Sequence, residues 1–323
     1  MRVTILVPVY NVERYMAECA ESLFSQTYPD IDYIFCDDGT PDASISVLQS
    51  VAARFPERRD RVTIIANDGN RGAGATRCRL IESVKTEAFA FVDADDCLPP
   101  TAVAALVQRM EQSGADIVDG AFARYANGVA GAAELPYHGS RQSYLRRMMC
   151  QNIEPNRLWG RLYHQRVIER VPDMFKEGID YSEDFSASVR LAVVTERAWT
   201  DDLVYLYRTD NMSSYTKNVS ERSVLSYLHA SHEVLRFFHR RGHLPLSLEI
   251  GLLNVYRAIH GTAVSMEKTD GIVPYVPEHI TAVLLHKMLR SQGVTYTLGD
   301  ILYRMVRMLV GKLTSRRVDK LFV

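Results

Sequence analysis

The chain lacks what several large protein classes require. Its five cysteines (Cys19, Cys36, Cys78, Cys97 and Cys150) are scattered, odd in number and without short paired spacings. This argues against a disulfide framework or a zinc site and fits a reducing compartment. No stretch approaches the roughly 18 consecutive apolar residues of a membrane-spanning helix. The apolar run that ends at Pro8 is too short for a signal-peptide core, so a cytoplasmic location is expected. Charge of one sign is lacking too: 38 Lys and Arg stand against 39 Asp and Glu. No global charge therefore points to nucleic acid. The nine histidines form no ligand spacing such as His-Glu-x-x-His.

What is present is ordinary globular material, 47% hydrophobic and 24% charged over 323 residues. That length suits one large domain with an appendage, or two domains. Val3–Val9 reads as a buried first strand, and Val12–Gln26 follows with helical spacing. A second strand (Ile31–Cys36), a helix (Ile45–Phe55), a third strand (Arg61–Ala66) and a helix (Gly72–Val84) come next. Phe89–Val92 is the fourth strand. Such alternation predicts parallel βαβ units in an α/β sheet, with ligands collecting beyond the carboxyl ends of the strands.

Downstream, Leu98–Ser113 reads as a helix, Asp116–Tyr125 as a strand and Ala126–Ala133 as an exposed turn. Tyr144–Cys150 and Ser186–Val194 look helical, Leu158–Val167 has a mixed pattern, and Ala198–Tyr207 alternates like a strand. Beyond Thr216 the pattern becomes amphipathic helix (Val224, Leu225, Leu228, Leu235, Phe238), which divides the chain into residues 1–216 and 217–323.

Chemistry concentrates after the fourth strand, where Asp93, Asp95 and Asp96 fall within four positions. Their mutual repulsion would be offset by a hard divalent cation, and oxygen ligands suit Mg2+ or Mn2+. The competing reading is a solvated acidic turn leading into a helix at Thr101. Asp37 and Asp38 close the second strand, where a carboxylate can accept from a pyrimidine imide N–H or merely form the turn. Gly72-Ala73-Gly74-Ala75-Thr76-Arg77 half-imitates a dinucleotide fingerprint but follows the third strand, so a nicotinamide or flavin enzyme is not expected. Its helix start could still receive a phosphate or let backbone approach a ligand. A second acidic cluster, Glu177 to Asp184, supplies either a helix cap or a general base.

In order, these residues resemble the family 2 glycosyltransferases with the GT-A fold. The resemblance covers Val3 to Ser214. It rests on Pro8-Val9-Tyr10-Asn11, Ser22–Thr27, Asp37–Asp42, Asn70 and Gly72 leading to Arg77, and Asp93–Asp96. Trp159–Tyr163, Phe175 with Glu177, Glu183-Asp184-Phe185, and Tyr207-Arg208 with Ser213-Ser214 complete it. The resemblance implies a Rossmann-like, mostly parallel sheet flanked by helices, with a C-terminal helical region. Residues 1–100 would form the nucleotide-sugar half and 101–216 the acceptor half.

It further implies inverting transfer of a sugar from a nucleotide diphosphate donor, commonly UDP-linked, to a glycan or lipid-linked glycan. Donor contacts would come from Pro8, Tyr10, Asn11, Asp38, Asn70, Gly72, Arg77, Asp93, Ala94 and Asp95. Metal would fall to Asp95, Asp96 or Asp93, with Asp184 as base and Glu183 beside it. Trp159, Arg161 and Glu177 would face the acceptor. Cys78 and Thr40-Pro41 depart from the family's usual residues without removing a nameable role. The alternatives are a sugar nucleotidyltransferase or a non-catalytic nucleotide- or glycan-binding scaffold.

Ile301–Val323 is basic, with Arg304, Arg307, Lys312, Arg316, Arg317 and Lys320, and carries an apolar helical stripe. It could lie peripherally on the inner membrane face, pack on its own domain, or form a homodimer.

Overall fold

The computed structural model describes residues 1–149 and 156–211, together with isolated positions between Ser223 and Phe237. The chain divides into two compact units, Met1–Lys217 and Asn218–Val323. Described positions of the second unit are helical, and Ser223, Ser226, Ala230 and Val234 are buried at the spacing of one helix face. The apolar positions read for that region, and the basic Ile301–Val323 pattern, lie outside the described residues.

In the first unit the alternation forms β1 (Val3–Val9), α1 (Glu13–Phe24), β2 (Ile31–Asp37), α2 (Ser44–Ala52), α3 (Pro56–Arg59), β3 (Val62–Ala66), α4 (Ala73–Glu82) and β4 (Ala88–Phe91). There follow α5 (Ala102–Ser113), β5 (Ile117–Ala126), β6 (Val129–Glu134), α6 (Arg141–Met149), β7 (Arg161–His164), α7 (Arg166–Arg170), α8 (Glu183–Val194) and β8 (Arg197–Arg208). The described strands form one sheet in the order β3-β2-β1-β4-β7-β5-β6, with β8 on β5. The β1–β2, β1–β4, β2–β3 and β5–β8 pairs are parallel; β7 runs antiparallel to β4 and β5, and β6 to β5. This is the mixed, mostly parallel GT-A-type α/β sheet.

The uninterrupted apolar run of β1 follows from burial on both faces. Val3, Ile5, Val7 and Val9 join a core with Met16, Cys19, Ala20 and Leu23 of α1. Leu6 points the other way, into a core with Leu80 and Ile81 of α4, Phe89 and Tyr163. Pro8 is tolerated in a central strand because β4 pairs β1 only as far as Leu6. The Leu6 carbonyl faces β4 and accepts from Val92 N. Pro8, two residues on, points to the same side beyond the end of that ladder, where no donor is required.

Two expectations change. Ala126–Ala133 is not simply a turn: Asn127 and Gly128, both with positive φ, make a tight hairpin turn into β6. Every residue of β6 from Val129 to Ala133 is exposed, so no apolar alternation marked it. The mixed 158–167 stretch resolves into β7 followed by α7.

The part of the sheet formed by β5, β7 and β8 is organised around buried charge. Asp119, fully buried, takes the Arg161 guanidinium on one oxygen and Arg197 on the other, the latter at 2.6 Å. Despite burial, these cations, with Arg157 nearby, hold its carboxyl below the usual range. Asp119→Ala would strand these guanidinium groups and is expected to cost ~3–5 kcal/mol of stability. A lowered urea midpoint with unchanged denaturant slope is the corresponding measurement.

Candidate active site

The carboxyl ends of β1, β2 and β4 gather the residues expected to contact a donor. Tyr10 is exposed, and Asn11 adopts the left-handed region with φ 54°. Asn11 N donates to Thr40 Oγ1 at 2.8 Å, and Glu13 N to Asp42 Oδ2 at 2.8 Å, tying the loop after β1 to that after β2. Asp42 is partly buried, yet donors from Ser44 and Thr40 hold its carboxyl down to about 2.

Asp38 is buried rather than open. Its Oδ1 accepts from Asn67 Nδ2 (2.7 Å) and Arg71 N (2.9 Å), and its Oδ2 from Gly72 N (2.9 Å). Three of about four lone-pair positions are thereby filled, and the residue builds the loop on which Asn70 stands exposed. Gly39, φ 67°, packs where a Cβ would lie 2.6 Å from the Gly69 backbone, so these two loops meet without a side chain between them.

The N-terminus of α4 holds an anion from the protein itself. Gly72, with φ 90° at the N-cap, offers no side-chain cap; instead Gly74 N donates to Asp180 Oδ1 at 3.2 Å. A Cβ on Gly72 would collide with the Asp180 carboxylate, and one on Gly74 with the carbonyls of Lys176 and Ile179. The small residues that suggested a phosphate cradle thus serve close packing of the 176–180 loop. The carboxylate fills the anion position at this helix start.

The three aspartates after β4 separate by environment. Asp96 is buried, accepting from Tyr205 Oη at 2.7 Å and Arg208 N at 2.6 Å. Burial, reinforced by Asp95 and Asp93, pushes its carboxyl well above the usual range. It anchors β8 to the acidic turn, and there both oxygens of this expected metal ligand are already engaged. Asp93 and Asp95 are half-buried. Asp93 Oδ1 accepts from Arg77 Nη2 at 3.0 Å, and its backbone N donates to Tyr205 Oη. Asp95 Oδ2 accepts from Asn211 Nδ2 at 2.7 Å. Burial, then repulsion from Asp93, raises the Asp95 carboxyl, as expected where a cation offsets charge. Among the described residues no group of three or more His, Cys, Asp or Glu could by itself hold a metal ion. Mg2+ and Mn2+ bound with a nucleotide diphosphate need only one or two carboxylates, the rest coming from phosphate and water. Asp95 and Asp93 meet that requirement.

Arg77 connects this turn to the start of α8. Its Nη1 donates to Glu183 Oε1 at 2.5 Å while Nη2 reaches Asp93. Its buried Nε has no partner among the described residues. At Ser182, the residue before α8, φ is 67°, a conformation costly for a side chain with Cβ and frequent near functional groups. Asp184, half-buried, accepts from Phe185 N at 2.6 Å. Burial lifts Asp184 to about 6, opposed by that N–H and by Arg77. Burial likewise raises Glu183, against the pull of Arg77.

The acceptor-side residues divide. Glu177 is exposed and grips Arg71 Nη2 with both oxygens at 2.8 Å. Trp159 is buried, stacked on Tyr205 (4.5 Å) and Tyr207 (5.0 Å), and Arg161 is buried with Asp119. Both are core groups and do not face an acceptor, correcting that expectation. Ala94 is also buried. Tyr205, Asn211, Asp180, Asn67 and Arg71 were not anticipated as site residues. Tyr205, Asn211 and Asp180 have hydrogen-bond partners about a hundred positions away, and Asn67 and Arg71 lie in a polar stretch that the sequence does not single out.

With this geometry in place, the family's sequence profile is informative: that of glycosyl transferase family 2 matches residues 4–173. The chain belongs to that family. It is a glycosyltransferase, which sets aside the nucleotidyltransferase and scaffold alternatives. EpsJ of Bacillus subtilis (strain 168), described as an uncharacterized glycosyltransferase, is 27% identical over 266 residues, covering 80% of this chain and 75% of EpsJ. Glycosyltransferase GlyA of Streptococcus pneumoniae serotype 4 (strain ATCC BAA-334 / TIGR4) is 25% identical over 84% of this chain but only 39% of GlyA. This chain thus spans three quarters of the first relative and well under half of the second. Among solved structures, S. aureus TarS 1-349 in complex with UDP-GlcNAc has a TM-score of 0.56 at 16% identity, covering 92% of this chain and 93% of that one. The mannosyltransferase PcManGT of Pyrobaculum calidifontis, in complex with GDP-Man and Mn2+, has a TM-score of 0.50 at 12% identity, covering 98% and 82%. These two likenesses concern the fold.

The environments of the aspartates give a separable expectation. Asp96→Ala leaves the Tyr205 hydroxyl and Arg208 N–H without their acceptor and is expected to destabilise the protein by ~1–3 kcal/mol in urea unfolding. Asp95→Ala removes the acceptor of Asn211 Nδ2 and is expected to cost about 1 kcal/mol of stability and to remove the Mg2+-dependent part of nucleotide-sugar binding in calorimetry.

Proposed function

We propose that this glycosyltransferase moves a sugar from a UDP-linked donor to a hydroxyl of a glycan or lipid-linked glycan, with inversion at the anomeric carbon. The observation that carries the reading is the Arg77 bridge. It holds the donor-side carboxylate Asp93 and the α8 start bearing Asp184 against one another, so two acidic groups with different tasks face one site. Residues 1–100 supply the donor half and 101–216 the acceptor half.

The loop organised by Asp38 frames the nucleotide base, with Tyr10, Asn11 and Asn70 exposed around it, and Asp38 retains about one acceptor position for an imide N–H. Asp95, with Asp93, would hold Mg2+ or Mn2+ together with the diphosphate. When bound, the cation supplies charge compensation for the departing nucleoside diphosphate. Asp184 accepts the proton of the acceptor hydroxyl as its oxygen bonds the anomeric carbon and the carbon–phosphate-oxygen bond breaks on the opposite face. A carboxylate raised to about 6 is a better base than an ordinary aspartate and remains mostly ionised at pH 7. Glu183, paired with Arg77, keeps the helix start in place. UDP is the preferred nucleotide because the TarS fragment of the same fold carries UDP-GlcNAc, and Mn2+ accompanies GDP-Man in PcManGT.

Calorimetry with UDP-GlcNAc, UDP-glucose, UDP-galactose and GDP-mannose, each with and without Mg2+, tests the donor assignment. Failure of the three UDP-sugars to bind, whether or not GDP-mannose does, would sink it. Asp184→Asn is expected to lower transfer at least about a thousandfold, within the range for loss of a positioned base, with donor affinity retained. Because the unprotonated form acts, kcat is expected to rise with pH through about 6 and level off above it. An acid limb near 4 would place an unperturbed carboxylate in that role.

A further inference from the structure

The α4 start and the base-bearing segment are joined by three contacts in constant register. Arg71 pairs with Glu177, Gly74 N with Asp180, and Arg77 with Glu183, each pair 106 positions apart. The two stretches therefore run alongside each other, three residues to three residues. The outer contact is exposed on both sides, where an ion pair contributes little. The middle one is buried: Asp180 is 7% exposed. The two glycines facing it, Gly72 and Gly74, have no room for a Cβ. Four residues beyond Asp180 stands Asp184.

From this seam we infer that Asp180 is a positioning residue for the reaction. Docked on the N-terminal N–H of α4, it fixes where Ser182 turns and hence where the Asp184 carboxylate sits. The seam also reaches the donor loop, because Arg71 N and Gly72 N are the groups that Asp38 holds. A shift of the Asp180 contact therefore moves the base relative to the donor without removing any group that touches the donor. The inference rests on Asp184 being the base, and the test separates the two.

Hydrogen exchange on the full chain without ligand gives an activity-independent measure. Asp180→Ala is expected to speed exchange at the amides of Tyr181 to Phe185 at least about tenfold while the amides of β1 and β4 keep their protection. In turnover with the UDP-sugar that binds, the same variant is expected to lower kcat roughly a hundredfold with donor KM within about threefold. Asp180→Asn keeps an oxygen for Gly74 N–H and should recover about tenfold of that loss. Gly74→Ala, pressing on the loop from the other side, should reproduce the kcat loss. Unchanged exchange at Tyr181–Phe185, or full kcat in Asp180→Ala alongside an inactive Asp184→Asn, overturns the inference. Failure of all three variants to fold also overturns it, leaving Asp180 a role in stability alone. Normal turnover in Asp184→Asn instead overturns the base assignment.

Discussion

The Arg77 guanidinium lies between carboxylates from two distant parts of the chain, Asp93 at the end of β4 and Glu183 at the start of α8. Asp93 is close enough to Asp95, Glu183 and Asp184 for their like charges to repel, and uncompensated burial there is costly. One buried cation between them allows that proximity. It also couples the two segments electrostatically, because a charge placed near Asp93 is felt by Glu183 and Asp184. Burial raises the carboxyls of Asp95 and Asp184, and repulsion from Asp93 adds to it.

A second constraint is the way in which a short acidic run distributes its members. Asp93 and Asp95, two positions apart, remain half open. Asp96 points inward and is claimed by Tyr205 and Arg208 of β8. Arg208 continues the connection: its Nε donates to the Asp95 carbonyl at 2.6 Å, and its guanidinium lies between the rings of Tyr15 and Tyr125. The open pair is thus held in place by the buried third, and three chemically identical side chains acquire different tasks from position alone.

The βαβ half was legible because its strands are apolar on both faces and its helices carry one apolar stripe, so both periodicities stand out between Val3 and Val92. The acidic positions at strand ends were legible for the same reason, since a carboxylate abruptly closing an apolar run is a local event. β6 was not, because an exposed strand of Val, Ala and Gly has no core to pattern against. Trp159 and Arg161 illustrate another limit. A tryptophan and an arginine beside a glycine can line a pocket or stack in a core, and only Tyr205, Tyr207 and Asp119, all remote in sequence, decide which. Asp180 stood within a noticed acidic cluster, yet its role, like that of Asn211, lies wholly in a remote partner.

The bond from Arg208 N to Asp96 spans 112 positions. On a ribosome, β1 to β4 emerge with the acidic turn already at their edge, while the strand that tethers it has still to be made. At about 5–20 residues per second that interval is roughly 6 to 22 s. Until β8 is made, Asp96 has neither Tyr205 nor Arg208 to accept from, and for the earlier part of that interval, before residues 161–164 emerge, β4 has no β7 beside it. A hydrated, negatively charged turn at that open edge disfavours pairing with another nascent strand. The acidic turn thus also guards the half-made sheet.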